Sequence, residues 1–220
     1  MAALTLVIGN KNYSSWSMRP WVLLRELAIP FEERKLRFHS EEWAREIGRW
    51  SPSGMVPVLW RGKDAVWDTL AIVETLAEWH PDKGVWPADP AARAFARSMS
   101  AEMHAGFRDL RSTMPMNIRA SHPGKGMTPG TRANVARIES LWGEARRRFG
   151  AAGPFLFGSF CAADAMYAPV VMRFSTYGVA LGAEAAAYCE AVRAARGVDA
   201  WRREALAETE FVAEDEPYAK

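Results

Sequence analysis

Serines cluster in a segment whose residue types suit the start of a helix. Ser14, Ser15 and Ser17 precede a stripe of apolar side chains with helical spacing, and Pro20 follows them closely. Serine is a favoured N-cap residue, and we expect Pro20 in the first turn, where proline is tolerated. The first amides of a helix have no partner within it, so hydroxyl groups beside them suit an anion. The cluster therefore predicts either an anion site or ordinary capping.

Two further motifs could bind polar groups of a small molecule. A cis bond in Val56-Pro57 would turn the backbone so that Val56 offers its N–H and C=O groups to a peptide. Only about 5–6% of X-Pro bonds in folded proteins are cis, and proline at a strand start also has a structural explanation. Asp68-Thr69 opens a predicted helix, where a hydroxyl and free amides suit a carboxylate. The alternative for Asp68-Thr69 is an ordinary N-cap pair.

The elements that must position these residues alternate along the first eighty residues. Predicted helices run from Ser15 to near Ala28, over 41–50 and over 69–79. Predicted strands cover 4–8, 31–38, 56–60 and 65–67. The order β-α-β-α-β-β-α, with a hairpin turn at 61–64, predicts a small α/β unit.

A proline-rich segment over 81–90 predicts a linker or domain junction. Beyond it we expect helices and no strand. The predicted helices are one long amphipathic helix from Phe95 to Met114, a second over 135–149, a buried one over 164–177, and two over 183–196 and 198–206. We expect the acidic tail from Glu208 to fray.

Composition excludes several classes of protein. With 28 Lys and Arg against 26 Asp and Glu, the net charge of +2 predicts no nucleic-acid partner. The apolar runs are too short to span a bilayer, and the first residues do not resemble a secretory signal, so no membrane partner is expected. Cys161 and Cys189 form no zinc spacing, so we expect no metal and two free thiols in a reducing cytoplasm.

Motifs in this order resemble the soluble glutathione S-transferases. The segment Tyr13-Ser14-Ser15-Trp16-Ser17-Met18-Arg19 is similar to the SSCSxR signature of zeta-class enzymes, which include maleylacetoacetate isomerases. Trp16 stands where that class has cysteine. Residues 51–59 are similar to the family's NPxGKVPxL, which aligns Pro57 with its cis-proline and replaces its lysine with Met55.

The resemblance continues beyond these two motifs and covers the whole chain. Asp68-Thr69 matches the acidic-plus-hydroxyl pair that opens the family's third helix, and 86–93 is similar to its domain junction. A weaker match is 161–164, where the family reads S/T-x-x-D. The resemblance implies an α/β thioredoxin-like, glutathione-binding domain over 1–80, a linker over 81–90 and an all-α electrophile-binding domain over 91–220. It also implies a cytoplasmic homodimer of the kind used in detoxification.

The resemblance assigns roles to particular side chains. A thiol with a pKa of about 8.5 is mostly protonated at neutral pH, so a hydroxyl donating to the sulfur would stabilise the thiolate of the co-substrate glutathione. Ser14 is the first candidate for this catalytic role and Ser15 is the second. The predicted glutathione-binding residues are Ser15, Val56, Pro57, Asp68, Thr69 and Arg45. The predicted substrate pocket contains Trp16, Met103, His104, Phe107 and Arg111.

Several functions fit the resemblance. The first is conjugation of glutathione to small electrophiles. The second is cis–trans isomerisation of the maleylacetoacetate or maleylpyruvate type, where Arg111 could hold a substrate carboxylate. The third is a non-catalytic glutathione-binding module, since fold does not determine function. A thiol redox enzyme would need a cysteine at the first helix start, and residues 14–17 contain none.

Overall fold

The computed structural model describes residues 3–219 and confirms the predicted order of the first elements. These are β1 (Leu4–Ile8), α1 (Ser15–Glu26), β2 (Glu32–Lys35), α2 (Glu41–Trp50), β3 (Val58–Arg61), β4 (Asp64–Trp67) and α3 (Thr69–Trp79). The sheet order is β2-β1-β3-β4. β1 pairs with β2 in parallel, and the other neighbours are antiparallel. This is the expected thioredoxin-like arrangement.

The central strand β1 divides the core of the α/β unit. Leu6 and Ile8 belong to the large cluster that continues into the helices, whereas Val7 joins Val58 on the opposite face. This alternation follows from the period of two in a strand. Strand β2 is shorter than the predicted 31–38, because its pairing stops where β1 stops, with Lys35 opposite Ile8.

Beyond α3, the regular elements of the described chain are helices, and the β pairing there consists of two isolated bridges within residues 155–159. Its elements are α4 (Pro90–Ala105), α5 (Arg108–Thr113), α6 (Pro129–Phe149), α7 (Ala162–Tyr177), α8 (Ala183–Ala194), α9 (Arg196–Leu206) and a short 3-10 turn, Ala213–Asp215. Helix α7 is buried along almost its whole length and packs against α1, α4 and α8. None of the helices within residues 3–219 has the length and hydropathy needed to cross a bilayer.

The single long helix predicted from Phe95 to Met114 is wrong. The chain leaves the helix at Gly106, and Phe107 adopts the left-handed conformation with φ of 54° before α5 begins. Glycine is a poor helix former, and a side chain at Gly106 would lie 2.7 Å from the Glu102 carbonyl oxygen. The apolar spacing survives the break, so Leu110 still points into the core.

The prediction that the acidic tail frays is also wrong. The Glu208 carboxylate is almost completely buried and accepts hydrogen bonds from the amides of Lys11 and Asn12 at 2.8 and 3.0 Å. The Arg119 guanidinium donates to the carbonyl groups of Glu208 and Glu210. The tail therefore packs against the loop that precedes α1.

Asp164 fixes the start of α7. Its carboxylate accepts hydrogen bonds from the Leu156 and Cys161 amides at 3.1 and 2.9 Å, and from the Tyr188 hydroxyl at 3.1 Å. Burial raises the pKa of Asp164 to about 6, although these donors favour its ionised form. One carboxylate thus ties the preceding loop and α8 to the central helix.

We expect Asp164→Ala to lower the free energy of unfolding by about 2–4 kcal/mol, because three donors would lose their acceptor in a buried site. Urea denaturation followed by circular dichroism measures this loss. The matched control is Asp82→Ala at an exposed position. Equal stability of the two variants would contradict this role for Asp164.

Candidate active site

A cavity of about 730 Å³ opens where the α/β unit meets the helices. Its walls come from the start of α1, the loop before β3, helices α5 and α7, and the C-terminal segment. Five of the predicted site residues line it: Ser14, Ser15, Trp16, Val56 and Arg111. The predicted cis bond between Val56 and Pro57 is confirmed.

The two serines at the start of α1 differ in their hydrogen bonds. Helix α1 begins at Ser15, and Ser14 is its N-cap residue. The Ser14 hydroxyl donates to Ser17 Oγ at 2.7 Å, and Ser17 Oγ also accepts from the Gly9 amide at 3.2 Å. The Ser14 proton is therefore engaged within the protein.

The Ser15 hydroxyl faces a cation. Its Oγ atom accepts from Arg173 Nη2 at 3.4 Å, and within residues 3–219 it donates to no acceptor. As the first residue of α1, it also lies in the positive field of the helix start. This hydroxyl can therefore donate its proton to an anion in the cavity.

Pro20 is the sixth residue of α1, rather than a first-turn residue as expected. Proline has no N–H, so the Trp16 carbonyl four residues earlier loses its helical donor. Thr69 Oγ1 donates to this carbonyl at 3.2 Å and satisfies it. The Thr69 hydroxyl therefore joins the start of α3 to the first turn of α1.

Two arginines pack against the Trp16 ring, and a third, Arg173, lies beside Ser15. The guanidinium groups of Arg19 and Arg111 lie 4.2 and 4.8 Å from the Trp16 ring centroid, a distance typical of cation–π contacts. Burial lowers the pKa of Arg19 well below its ordinary value, and the nearby Arg173 and Arg111 lower it further. Burial likewise lowers the pKa of Arg111 and brings that of Arg173 to about 10. Arg111 and Arg173 line the cavity, so this part of its wall carries positive charge.

Arg173 was missed by the sequence reasoning. Its Nε donates to the Met114 carbonyl at 2.8 Å, and Nη1 is buried without a hydrogen-bond partner among the described residues. A signal existed, because Arg173 is the only Lys or Arg in the apolar helix α7. A buried charge costs free energy unless it is paired, so its presence in a core helix indicates a possible ligand.

Asp68 and His104 lie outside the cavity lining, beside Trp16. Asp68 caps α3 with φ of 73°, a conformation that costs free energy and is frequent at ligand sites. Its Oδ2 atom lies 3.3 Å from His104 Nε2, and its Oδ1 accepts from the Leu70 amide at 2.9 Å. The His104 ring packs edge-on against Trp16 at 5.1 Å.

Other predicted residues lie elsewhere. Met103 and Phe107 are buried in the large core cluster and do not line the cavity. Arg45 is exposed on α2, where it pairs with Glu41 at 3.7 Å, and it also lies outside the lining. Met103 and Phe107 therefore contribute to the core, and Arg45 contributes to the exposed surface of α2.

The pattern of the α/β unit has a known counterpart. Residues 13–79 match the family model described as glutathione S-transferase, N-terminal domain. This chain carries a glutathione S-transferase N-terminal domain. The matched segment contains three of the motifs that carried the resemblance: the serine pair, Val56-Pro57 and Asp68-Thr69.

A relative with a described activity matches part of the chain. Over 108 residues the chain is 31% identical to a probable maleylacetoacetate isomerase from Caenorhabditis elegans. The match covers 49% of this chain and 50% of the nematode protein, so the chain spans about half the length of that relative.

Solved glutathione transferases share the fold over nearly the whole chain. A glutathione transferase homologue from Burkholderia with bound glutathione is 24% identical, with a TM-score of 0.69 over 92% of this chain and 98% of that one. A glutathione S-transferase from Xylella fastidiosa is 19% identical, with a TM-score of 0.65 over 92% and 98%. The transferase domain and the helices that follow it therefore form a glutathione transferase fold.

Proposed function

We propose that this chain is a glutathione transferase in which Ser15 stabilises the glutathione thiolate for conjugation to electrophilic substrates. The observation that carries the proposal is the Ser15 hydroxyl at the start of α1, which lines the cavity beside Arg173. The thiolate would attack an electrophilic carbon and displace a leaving group or add to a double bond. The sequence ranked Ser14 first, but its bond to Ser17 favours Ser15 for this role.

The cavity also fits glutathione as a co-substrate. Val56, at the cis bond, lies in the same lining as Ser15, so backbone groups for a peptide and a donor for its sulfur share one cavity. Outside the lining but beside Trp16, Asp68 carries a carboxylate suited to the γ-glutamyl ammonium, and the amides at the start of α3 suit the carboxylate of the same group. The Thr69 hydroxyl contributes indirectly, by holding Trp16.

We expect Ser15→Ala to lower kcat with a chlorodinitrobenzene acceptor by roughly 10–100-fold, because the thiolate loses its hydroxyl donor. The same variant should raise the pKa of the bound thiol, measured from the ultraviolet absorbance of the thiolate. Ser15→Thr, which keeps a hydroxyl, should retain most of the activity. Ser98→Ala, at an exposed position, is the control. A larger loss in Ser14→Ala than in Ser15→Ala would reverse the assignment.

The cationic wall favours isomerisation of a maleyl keto acid as a second candidate function. Arg111 and Arg173 line the cavity next to Ser15, and such guanidinium groups bind carboxylates strongly. In this reaction the thiolate adds to the double bond, the resulting single bond rotates, and the thiolate leaves unchanged. The nematode relative described as a probable maleylacetoacetate isomerase supports the same candidate.

We expect Arg111→Gln to lower kcat/KM for maleylacetone by about tenfold, because a charged hydrogen bond to the substrate is lost. The rate with a neutral chlorodinitrobenzene should stay within about twofold. Arg132→Gln on the exposed face of α6 serves as the matched control. Wild-type protein without maleylacetone turnover would exclude the isomerase and leave conjugation standing.

We also propose a cytoplasmic homodimer. The cysteines Cys161 and Cys189 are free and buried, which suits a reducing compartment.

The dimer would cover two large apolar side chains on the α/β unit. Met55 and Trp67 have 67% and 48% of their surface exposed, and a second copy would bury them. Light scattering of the purified protein should give twice the chain mass, and Trp67→Glu should lower it. A monomeric wild-type protein would contradict this assembly.

A further inference from the structure

The C-terminal segment forms part of the cavity wall. Asp215 lies in the lining together with Ser15, Arg111 and Arg173, although it is more than forty residues from the nearest of them in the chain. It belongs to the 3-10 turn that follows the buried Glu208. This tail was expected to fray, and no function was assigned to it from the sequence.

Hydrogen bonds of the residues that follow Asp215 anchor its segment. The Tyr13 hydroxyl donates to the Glu216 carboxylate at 2.7 Å. Further along, the Tyr218 hydroxyl donates to the Thr113 carbonyl at the end of α5, also at 2.7 Å. These bonds hold the backbone of this segment at the cavity, where Asp215 lies in the lining.

The charges around Asp215 come from three parts of the chain. Arg173 and Tyr177 face it from α7, His39 from the loop after β2, and Glu214 and Glu216 from its own segment. Burial raises the pKa of Asp215 to about 6, and Arg173 opposes this rise. In return, the Asp215 carboxylate raises the pKa of Arg173, against the lowering by burial and by Arg111.

We propose that Asp215 is a specificity-determining residue of the electrophile pocket, whose carboxylate offsets the arginine charge so that neutral electrophiles are accepted and anionic ones are disfavoured. This inference rests on the proposed function. An acceptor with a carboxylate is attracted by Arg111 and Arg173 but repelled by Asp215. An uncharged acceptor experiences neither the attraction nor the repulsion. The ratio of the KM values for the two acceptors therefore reports the charge at Asp215.

The sign of the pH dependence follows from the raised pKa of Asp215. Below about pH 6 the carboxyl group is neutral, so the repulsion disappears and anionic ligands bind more tightly. Above that pH the carboxylate forms, and the affinity of the cavity for anionic ligands falls. Asp215→Asn is neutral at every pH, so it should bind anions at pH 8 as tightly as wild type does at pH 5.

The experiment compares a chlorodinitrobenzene with the corresponding chlorodinitrobenzoate, two acceptors that differ by one carboxylate. At pH 8, Asp215→Asn should lower KM for the benzoate roughly fivefold, since one unit charge at a partly buried site is removed. KM for the neutral acceptor should stay the same. Glu214→Gln is the matched control, because it removes one charge from the neighbouring residue, whose side chain is 72% exposed and outside the cavity lining.

Calorimetric titration with benzenesulfonate, whose single charge is the same at pH 5 and pH 8, provides a readout that needs no turnover. Wild type should bind benzenesulfonate roughly fivefold more weakly at pH 8 than at pH 5, and Asp215→Asn should lose this difference. Both proteins are also compared in a His39→Gln background, which removes the imidazole that faces Asp215. Equal effects of Asp215→Asn and Glu214→Gln, or an unchanged pH dependence in Asp215→Asn, would overturn the proposal. Absence of turnover on either acceptor, with the benzenesulfonate result intact, would instead overturn the proposed function.

Discussion

The first turn of α1 is held from three sides, and the chemistry of the cavity depends on that restraint. Thr69 on α3 donates to the Trp16 carbonyl, Ser17 accepts from the end of β1, and Arg173 on α7 reaches the Ser15 hydroxyl. A donor that stabilises developing charge is most effective when its position is set before the ligand binds, because little reorganisation is then required.

The buried arginines show that this part of the structure is not optimised for stability alone. Arg19 is almost completely buried, yet among residues 3–219 its side chain donates only to the Met166 and Ser15 carbonyls, and it contacts the Trp16 ring. Removing a guanidinium group from water without a carboxylate partner costs free energy. Arg173 is buried in the same way, so negative charge at the cavity, from Asp215 or from a bound anion, stabilises it.

The C-terminal segment links the cavity to the loop before α1. The Glu208 carboxylate accepts hydrogen bonds from the backbone amides of Lys11 and Asn12. The Lys11 side chain in turn forms ion pairs with Glu33 and Glu204. The Trp21 ring lies 4.6 Å from the Lys11 ammonium and adds a cation–π contact. These bonds connect the sheet, helix α9 and the tail, so the cavity wall formed by the C-terminal segment is positioned by contacts distant in sequence.

The sequence alone determined the element order of the α/β unit, the serine pair at a helix start and the Val56-Pro57 site, because capping, apolar period and turn chemistry act over a few residues. Only tertiary structure decided which serine keeps a free proton, because the partners of Ser14 and Ser15 depend on packing. It also brought Arg173 and Asp215 to the same cavity, since charges far apart in the chain meet only when the core closes around them.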